Sequence, residues 1–156
     1  MTGPVAPLWH YTVGTKLPLI RKSGALLPIP TPGAPATERP VVWLSRRPVF
    51  EPTARKGWGN AAGQVRTLTM RETHDLAGGL FRFKIHPDFP VEDLDGFRLT
   101  SGISRHEFRA LVTVGKRQGA NPSDWFISYL PIPLESTESL EAWDGQRWID
   151  VEPVSR

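Results

Sequence analysis

The sequence predicts a β-rich α+β fold of short strands and short helices, and three observations carry that reading. Sixteen prolines and fourteen glycines supply many turns and leave little room for long helices. Several short runs alternate apolar and polar residues with the period of two that marks a strand. The helical patterns are brief and sit behind capping signals.

At 156 residues the chain suits a single domain spanning 1–156, long enough to bury a core without metal or disulfide help. Hydrophobic residues make up 39% and charged residues 22%, a globular rather than a disordered balance. With no cysteine, disulfides, zinc-thiolate sites and thiol catalysis are all excluded. No apolar run is long enough to span a bilayer, and Met1-Thr2-Gly3-Pro4 has no signal-peptide character. The expectation is a soluble cytoplasmic protein with no membrane partner. Nineteen basic against sixteen acidic side chains give a modest excess in small groups, among them Arg46-Arg47, Lys56 and Arg66. Such groups suit either a solvated surface or a mouth that attracts phosphate.

Leu8 to Thr12 reads as the first strand, short and central, after a loose arm over Met1 to Pro7. Thr15 can cap a helix that accommodates Pro18 in its first turn and ends at Ser23, with Gly24 as a left-handed cap. Prolines at 28, 30, 32, 35 and 40 make the next stretch a semi-rigid loop, with a stub of strand at Leu26-Leu27. Val41 to Leu44 is a buried strand, Glu51 to Lys56 a helical turn, and Trp58-Gly59-Asn60 a break. Val65 to Met70 and Leu80 to Ile85 follow as strands. In the second, the basic residues Arg82 and Lys84 alternate with the core set and are expected to face water or a ligand.

Asp88 to Gly96 is an acidic segment. Ser104 and Glu107 match a capping box ahead of a helix running to about Lys116. Trp125 to Ile132 is a strand interrupted by Pro131, and Leu140 to Val151 a hairpin around Asp144-Gly145, a dipeptide suited to a type I′ turn. Trp143 and Trp148 are expected to pack on this scaffold.

The serine-nucleophile elbow, the Walker loop, the dinucleotide glycine fingerprint and a helical His pair for metal are all missing from the sequence. His74, His86 and His106 are each isolated. His10 stands apart, because an imidazole inside an apolar strand must be hydrogen-bonded or lose its charged form. A satisfied structural histidine is one reading. The other is a cleft, since Thr12 follows His10 on the same strand face and Trp43 and Ser45 form a matching aromatic-hydroxyl pair. Neighbouring strands of matching direction would set all four side by side.

His10-Tyr11-Thr12, Gly24-Ala25-Leu26-Leu27-Pro28 and Trp43-Leu44-Ser45 occur in an order and rough spacing that resemble the ADP-ribosyltransferase superfamily. The layout is most similar to that of the small rifampin-modifying ADP-ribosyltransferases, over roughly the first 95 residues. Tyr11 stands where that family carries glycine, and Trp43 where it carries tyrosine. The resemblance implies an ADP-ribosyltransferase-like α+β fold of two small antiparallel sheets packed at an angle, with two or three short helices. It also implies NAD as substrate and nicotinamide release, with ADP-ribose passing to an acceptor such as protein or nucleic acid. His10 and Thr12 would hold the dinucleotide with Ser45, Trp43 would pack on nicotinamide, and Arg46 or Arg47 would meet the pyrophosphate. For the acid that grips the nicotinamide ribose, the segment after Phe83 to Pro87 offers Asp93, with Glu92 and Asp95 behind it. Competing expectations are an RNA 2′-phosphotransferase on the same fold and a non-catalytic nucleotide- or protein-binding module.

Overall fold

The computed structural model describes residues 6–31 and 33–151, so the arm over residues 1–5 and the position of Pro32 lie outside the described residues. Among the described residues four α-helices accompany a seven-stranded antiparallel sheet and two two-stranded ribbons. In chain order the sheet strands are β1 (Leu8–Val13), β3 (Val42–Ser45), β6 (Leu80–Ile85), β7 (Glu92–Asp93), β8 (Trp125–Ser128), β10 (Thr137–Trp143) and β11 (Trp148–Asp150). Their spatial order is β11-β10-β6-β1-β3-β8-β7, which puts β1 at the centre as its apolar sequence requires. The ribbons are β2 (Ala25–Leu26) with β9 (Ile132–Pro133), and β4 (Gly57–Gly59) with β5 (Val65–Thr67).

The ladder is uneven. All six residues of β1 pair with β6 and four pairs join β3 to β8, whereas β1 and β3 share one registered pair, Trp9 with Ser45. The sheet is therefore a four-stranded part and a three-stranded part that separate beyond that pair. β1 and β3 run antiparallel, not in the matching direction that the sequence suggests.

Three apolar clusters hold the layers together. On one face Val42, Leu44, Phe83 and Ile85 pack with Leu17 of α1 (Leu17–Ser23), Leu26 and Ile132. On the other, Val13, Leu80 and Phe50 gather Met70 and Ala77 from α2 (Met70–Leu76) and its end, with Trp143 and Trp148. Beside them, Ile127, Val41 and Phe97 of α3 (Leu94–Thr100) meet Phe108 and Leu111 of α4 (Arg105–Arg117). The last two clusters share a face because Val42 and Leu44 point one way along β3 and Trp43 the other.

Local chemistry explains the departures from the sequence reading. Thr15 lies in a 3-10 turn (Gly14–Lys16), and α1 begins after Lys16 with no side-chain cap. Gly24 closes it with φ 72°, its N–H donating to the Ile20 carbonyl. Trp58 sits in a strand rather than a break, and β5 stops at Thr67. There Thr69 caps α2 in a full box with Glu72. The acidic segment becomes β7 and α3, with Asp93 as N-cap. Arg82 does not face water: only 7% exposed, it donates to Glu141 at 2.9 Å and lies against the Trp9 and Trp148 rings. The hairpin joining β10 and β11 is closed by the Asp144 carboxylate, which accepts from the Gln146 and Arg147 N–H groups. Only Gly145 of the dipeptide has positive φ, so the turn is not type I′. No helix among the described residues is long and apolar enough to cross a membrane.

Candidate functional site

Where β1 and β3 part, a cavity of about 280 Å³ opens on the face between the second and third clusters. Its walls include Trp9, His10, Trp43, Ser45, Glu51 and Trp125, with α4 closing one side through Leu111, Val114 and Gly115. His10, Trp43 and Ser45, proposed from sequence as partners, thus meet around one space. Thr12 does not join them: it is buried at 6% exposure, opposite Phe81 and outside the lining.

Register is the physical reason. Trp9 faces Ser45 across the single β1–β3 pair, so Trp9 and Tyr11 share the face of Trp43 and Ser45, while His10 and Thr12 alternate to the other. His10 is nonetheless on the lining, at the point where the strands open, and its Nδ1 lies 2.9 Å from the Trp43 carbonyl oxygen. A carbonyl only accepts, so Nδ1 carries the proton, and Nε2 of the neutral ring is an acceptor with no hydrogen-bond partner among the described residues. Burial lowers the imidazole pKa below 6.5, the Trp43 carbonyl opposes that, and the charges of Lys16 and Lys56 add to the lowering. The ring is neutral at neutral pH.

Glu51 lies where the sequence predicts a helical turn, and it caps a 3-10 turn over Pro52–Ala54. Only 5% of it is exposed, and four donors converge on its carboxylate. Oε1 accepts from Ser45 Oγ at 3.0 Å and Trp125 Nε1 at 3.1 Å. Oε2 accepts from Thr53 N at 3.0 Å and Thr53 Oγ1 at 2.6 Å. The signal was Glu-Pro-Thr, an acid one residue before an N1 proline, where a carboxylate caps the turn that follows. Its alignment with the cavity depends on Ser45 and Trp125, which no local pattern reveals.

Trp9 is the second residue missed. Its ring is buried on the lining, and its Nε1 has no hydrogen-bond partner among the described residues.

The other sequence choices lie elsewhere. Asp93 spends Oδ1 on the Gly96 N–H at 2.8 Å as the cap of α3, and neither it, Glu92 nor Asp95 lines this cavity. Arg46 pairs with Asp124 at 3.2 Å, outside the lining. Arg47 donates to the Gly119 carbonyl at 2.8 Å and Arg55 to that of Gln118 at 3.2 Å, so both neutralise the C-terminal end of α4. Among the described residues no group of three or more His, Asp or Glu side chains is arranged to hold a metal ion.

No family model, curated protein or solved structure matches the chain.

Proposed function

We propose that the chain binds NAD at the β1–β3 split and transfers ADP-ribose to a nucleophile, releasing nicotinamide. The observation that carries this reading is the meeting of His10, Trp43 and Ser45 with a buried carboxylate, Glu51, around one cavity. A volume of about 280 Å³ is at the small end for a ligand pocket and suits a ring with its substituent rather than a whole dinucleotide. Nicotinamide would enter between indoles, with Trp43 in the stacking role and the rest of the ligand outside.

In the reaction the bond between C1′ of the ribose and the nicotinamide nitrogen breaks. Its electron pair leaves with the ring, and the acceptor attacks C1′ as it gives up a proton. The sugar passes through an oxocarbenium-like state, which a nearby carboxylate favours over the ground state. Glu51 takes that part in place of Asp93, acting by charge because its oxygens are already bonded. The neutral His10 accepts a ligand hydroxyl or amide hydrogen at Nε2.

The test is nicotinamide release from NAD alongside calorimetric NAD binding. Glu51→Gln is expected to slow release about a hundredfold with a smaller change in affinity, the scale of one positioned electrostatic group. His10→Ala weakens binding itself, and Asp93→Asn leaves both unchanged. An absence of NAD binding by the wild type removes the proposal. One observation favours a second reading: four protein donors occupy the Glu51 carboxylate, as in a structural network. Tight binding without turnover would make the protein a nucleotide-capturing module.

A further inference from the structure

The basic excess of the chain is local. Residues 94–117 hold five basic and two acidic side chains, so α3, α4 and their link carry a net charge equal to the +3 of the whole chain, and everything else balances. Three of the five line one cavity of about 670 Å³, Arg98 from α3 with Arg105 and Arg109 from α4. Asp95, Ile103 and Phe108 complete its lining. It shares no residue with the cavity at the β1–β3 split.

The helix repeat extends the row. At about 100° per residue, Arg105, Arg109 and Lys116 fall within about 40° of one another around α4, with Lys116 about 16 Å from Arg105 along the axis. All four cations are exposed. Glu107 turns to the other flank of the helix, where it lines a different cavity with Ala110 and Val114, so it does not interrupt the row.

Exposed as they are, these cations add little to packing, and electrostatics opposes their grouping. Arg105 opens α4, where the helix dipole disfavours a positive charge. Asp95 reaches only Arg98, at 3.9 Å. Among the described residues no carboxylate lies within salt-bridge distance of Arg105, Arg109 or Lys116. What relieves the mutual repulsion of such a row is a partner bearing several negative charges.

We propose that this flank of α4 binds the phosphodiester backbone of a single-stranded nucleic acid, with an unpaired base against Phe108 and Ile103 in the cavity. Four cations spread over this length match a repeating anion better than one isolated phosphate. The apolar floor favours a strand over a duplex, whose bases are already paired and stacked. Binding here does not rest on the NAD reading.

Fluorescence anisotropy with labelled oligothymidylate and oligouridylate of about 12 nucleotides tests the proposal on the whole chain without NAD, with thermal melts to confirm folding. Wild-type affinity is expected to fall roughly fiftyfold between about 50 and 200 mM salt, the dependence of four contacts to a single strand. Arg105→Gln and Arg109→Gln each weaken binding about eightfold at about 50 mM salt and lower the slope of log affinity against log salt by about 0.7. Lys22→Gln on α1, the same loss of charge elsewhere, changes neither. Arginine-dependent binding of one oligonucleotide and not the other supports the proposal and assigns the sugar. No binding by the wild type at low salt, or arginine variants that bind as Lys22→Gln does, overturns it. So does a duplex that binds more tightly than either strand, or a phosphoserine peptide whose arginine-dependent binding exceeds that of both oligonucleotides. The two readings fail separately, because nicotinamide release without oligonucleotide binding removes only this proposal and the converse removes only the NAD reading.

Discussion

At the scale of single residues, two ionisable groups on β1 make opposite demands on pH. His10 is buried against the split, and its pKa is lowered from 6.5. Below 6.5 the unfolded chain binds a proton that the folded chain refuses, so stability falls as pH drops through the window down to the folded value. His10→Gln, which can still donate to the Trp43 carbonyl, should therefore lose less stability than wild type between pH 7.5 and pH 5 in denaturant titrations. Equal losses would mean that the imidazole is not held neutral by the fold. Tyr11 behaves in the other direction. Burial raises its pKa from 10.0 to about 12 against the opposing Arg82, while its hydroxyl donates to the Arg47 carbonyl. From pH 10 upward the unfolded chain loses a proton that the folded chain keeps, so stability declines until about pH 12. The loss is of the order of 2 to 3 kcal/mol. Tyr11→Phe should flatten that part of the alkaline profile, a difference read by urea unfolding at pH 9 and 11.

At the scale of elements, α4 shows how a helix rule yields to packing. Gly115 lies inside the helix, where alanine would ordinarily gain about 1 kcal/mol. A Cβ there would stand 2.3 Å from the Trp125 ring, and overpacking of this kind costs roughly 1–3 kcal/mol. Gly115→Ala should therefore lower the melting temperature. It should also disturb NAD or nicotinamide binding, because Trp125 lines the cavity and holds Glu51 through Nε1. A stabilised variant with unchanged binding would show that the ring moves aside freely. Elements with self-contained signals were legible from sequence: β1 by its run of aromatic and β-branched residues, β6 by alternation, α4 by Ser104, and the β10–β11 hairpin by its alternating arms around Asp144-Gly145, though not its turn type. α2 was also legible, since Thr69 and Glu72 form a capping box, but a strand reading carried through to Met70 hid it. The site was half legible. His10, Trp43 and Ser45 sit on strands whose chemistry is local, whereas Trp9 enters through a register that no strand carries alone, and Glu51 through partners 6 and 74 residues away.

At the scale of the whole molecule, the sheet depends on its last two strands more than their place at one end suggests. β10 pairs with β6, which in turn pairs along the whole of β1, so removing it would turn a core strand into an edge. Leu140 packs on the first cluster, and Trp143 and Trp148 on the second. Trp148 also donates Nε1 to the Val49 carbonyl at 2.7 Å, just before Glu51. Glu141 is the countercharge of Arg82, a guanidinium that removal of its partner would leave buried, at a cost of about 3 kcal/mol by itself. A chain ending at Ser139 should therefore not melt cooperatively, and it should expose aromatic surface to a hydrophobic dye. Glu141→Gln in the full chain separates the contributions. It removes the charge while keeping the hairpin and its indoles, so it should lower stability by about 3 kcal/mol and leave a cooperative transition. A cooperatively melting truncation would make the hairpin an appendage, and a Glu141→Gln protein as stable as wild type would show that the Trp9 and Trp148 rings, with the Pro48 carbonyl that also accepts from the Arg82 guanidinium, suffice to hold Arg82.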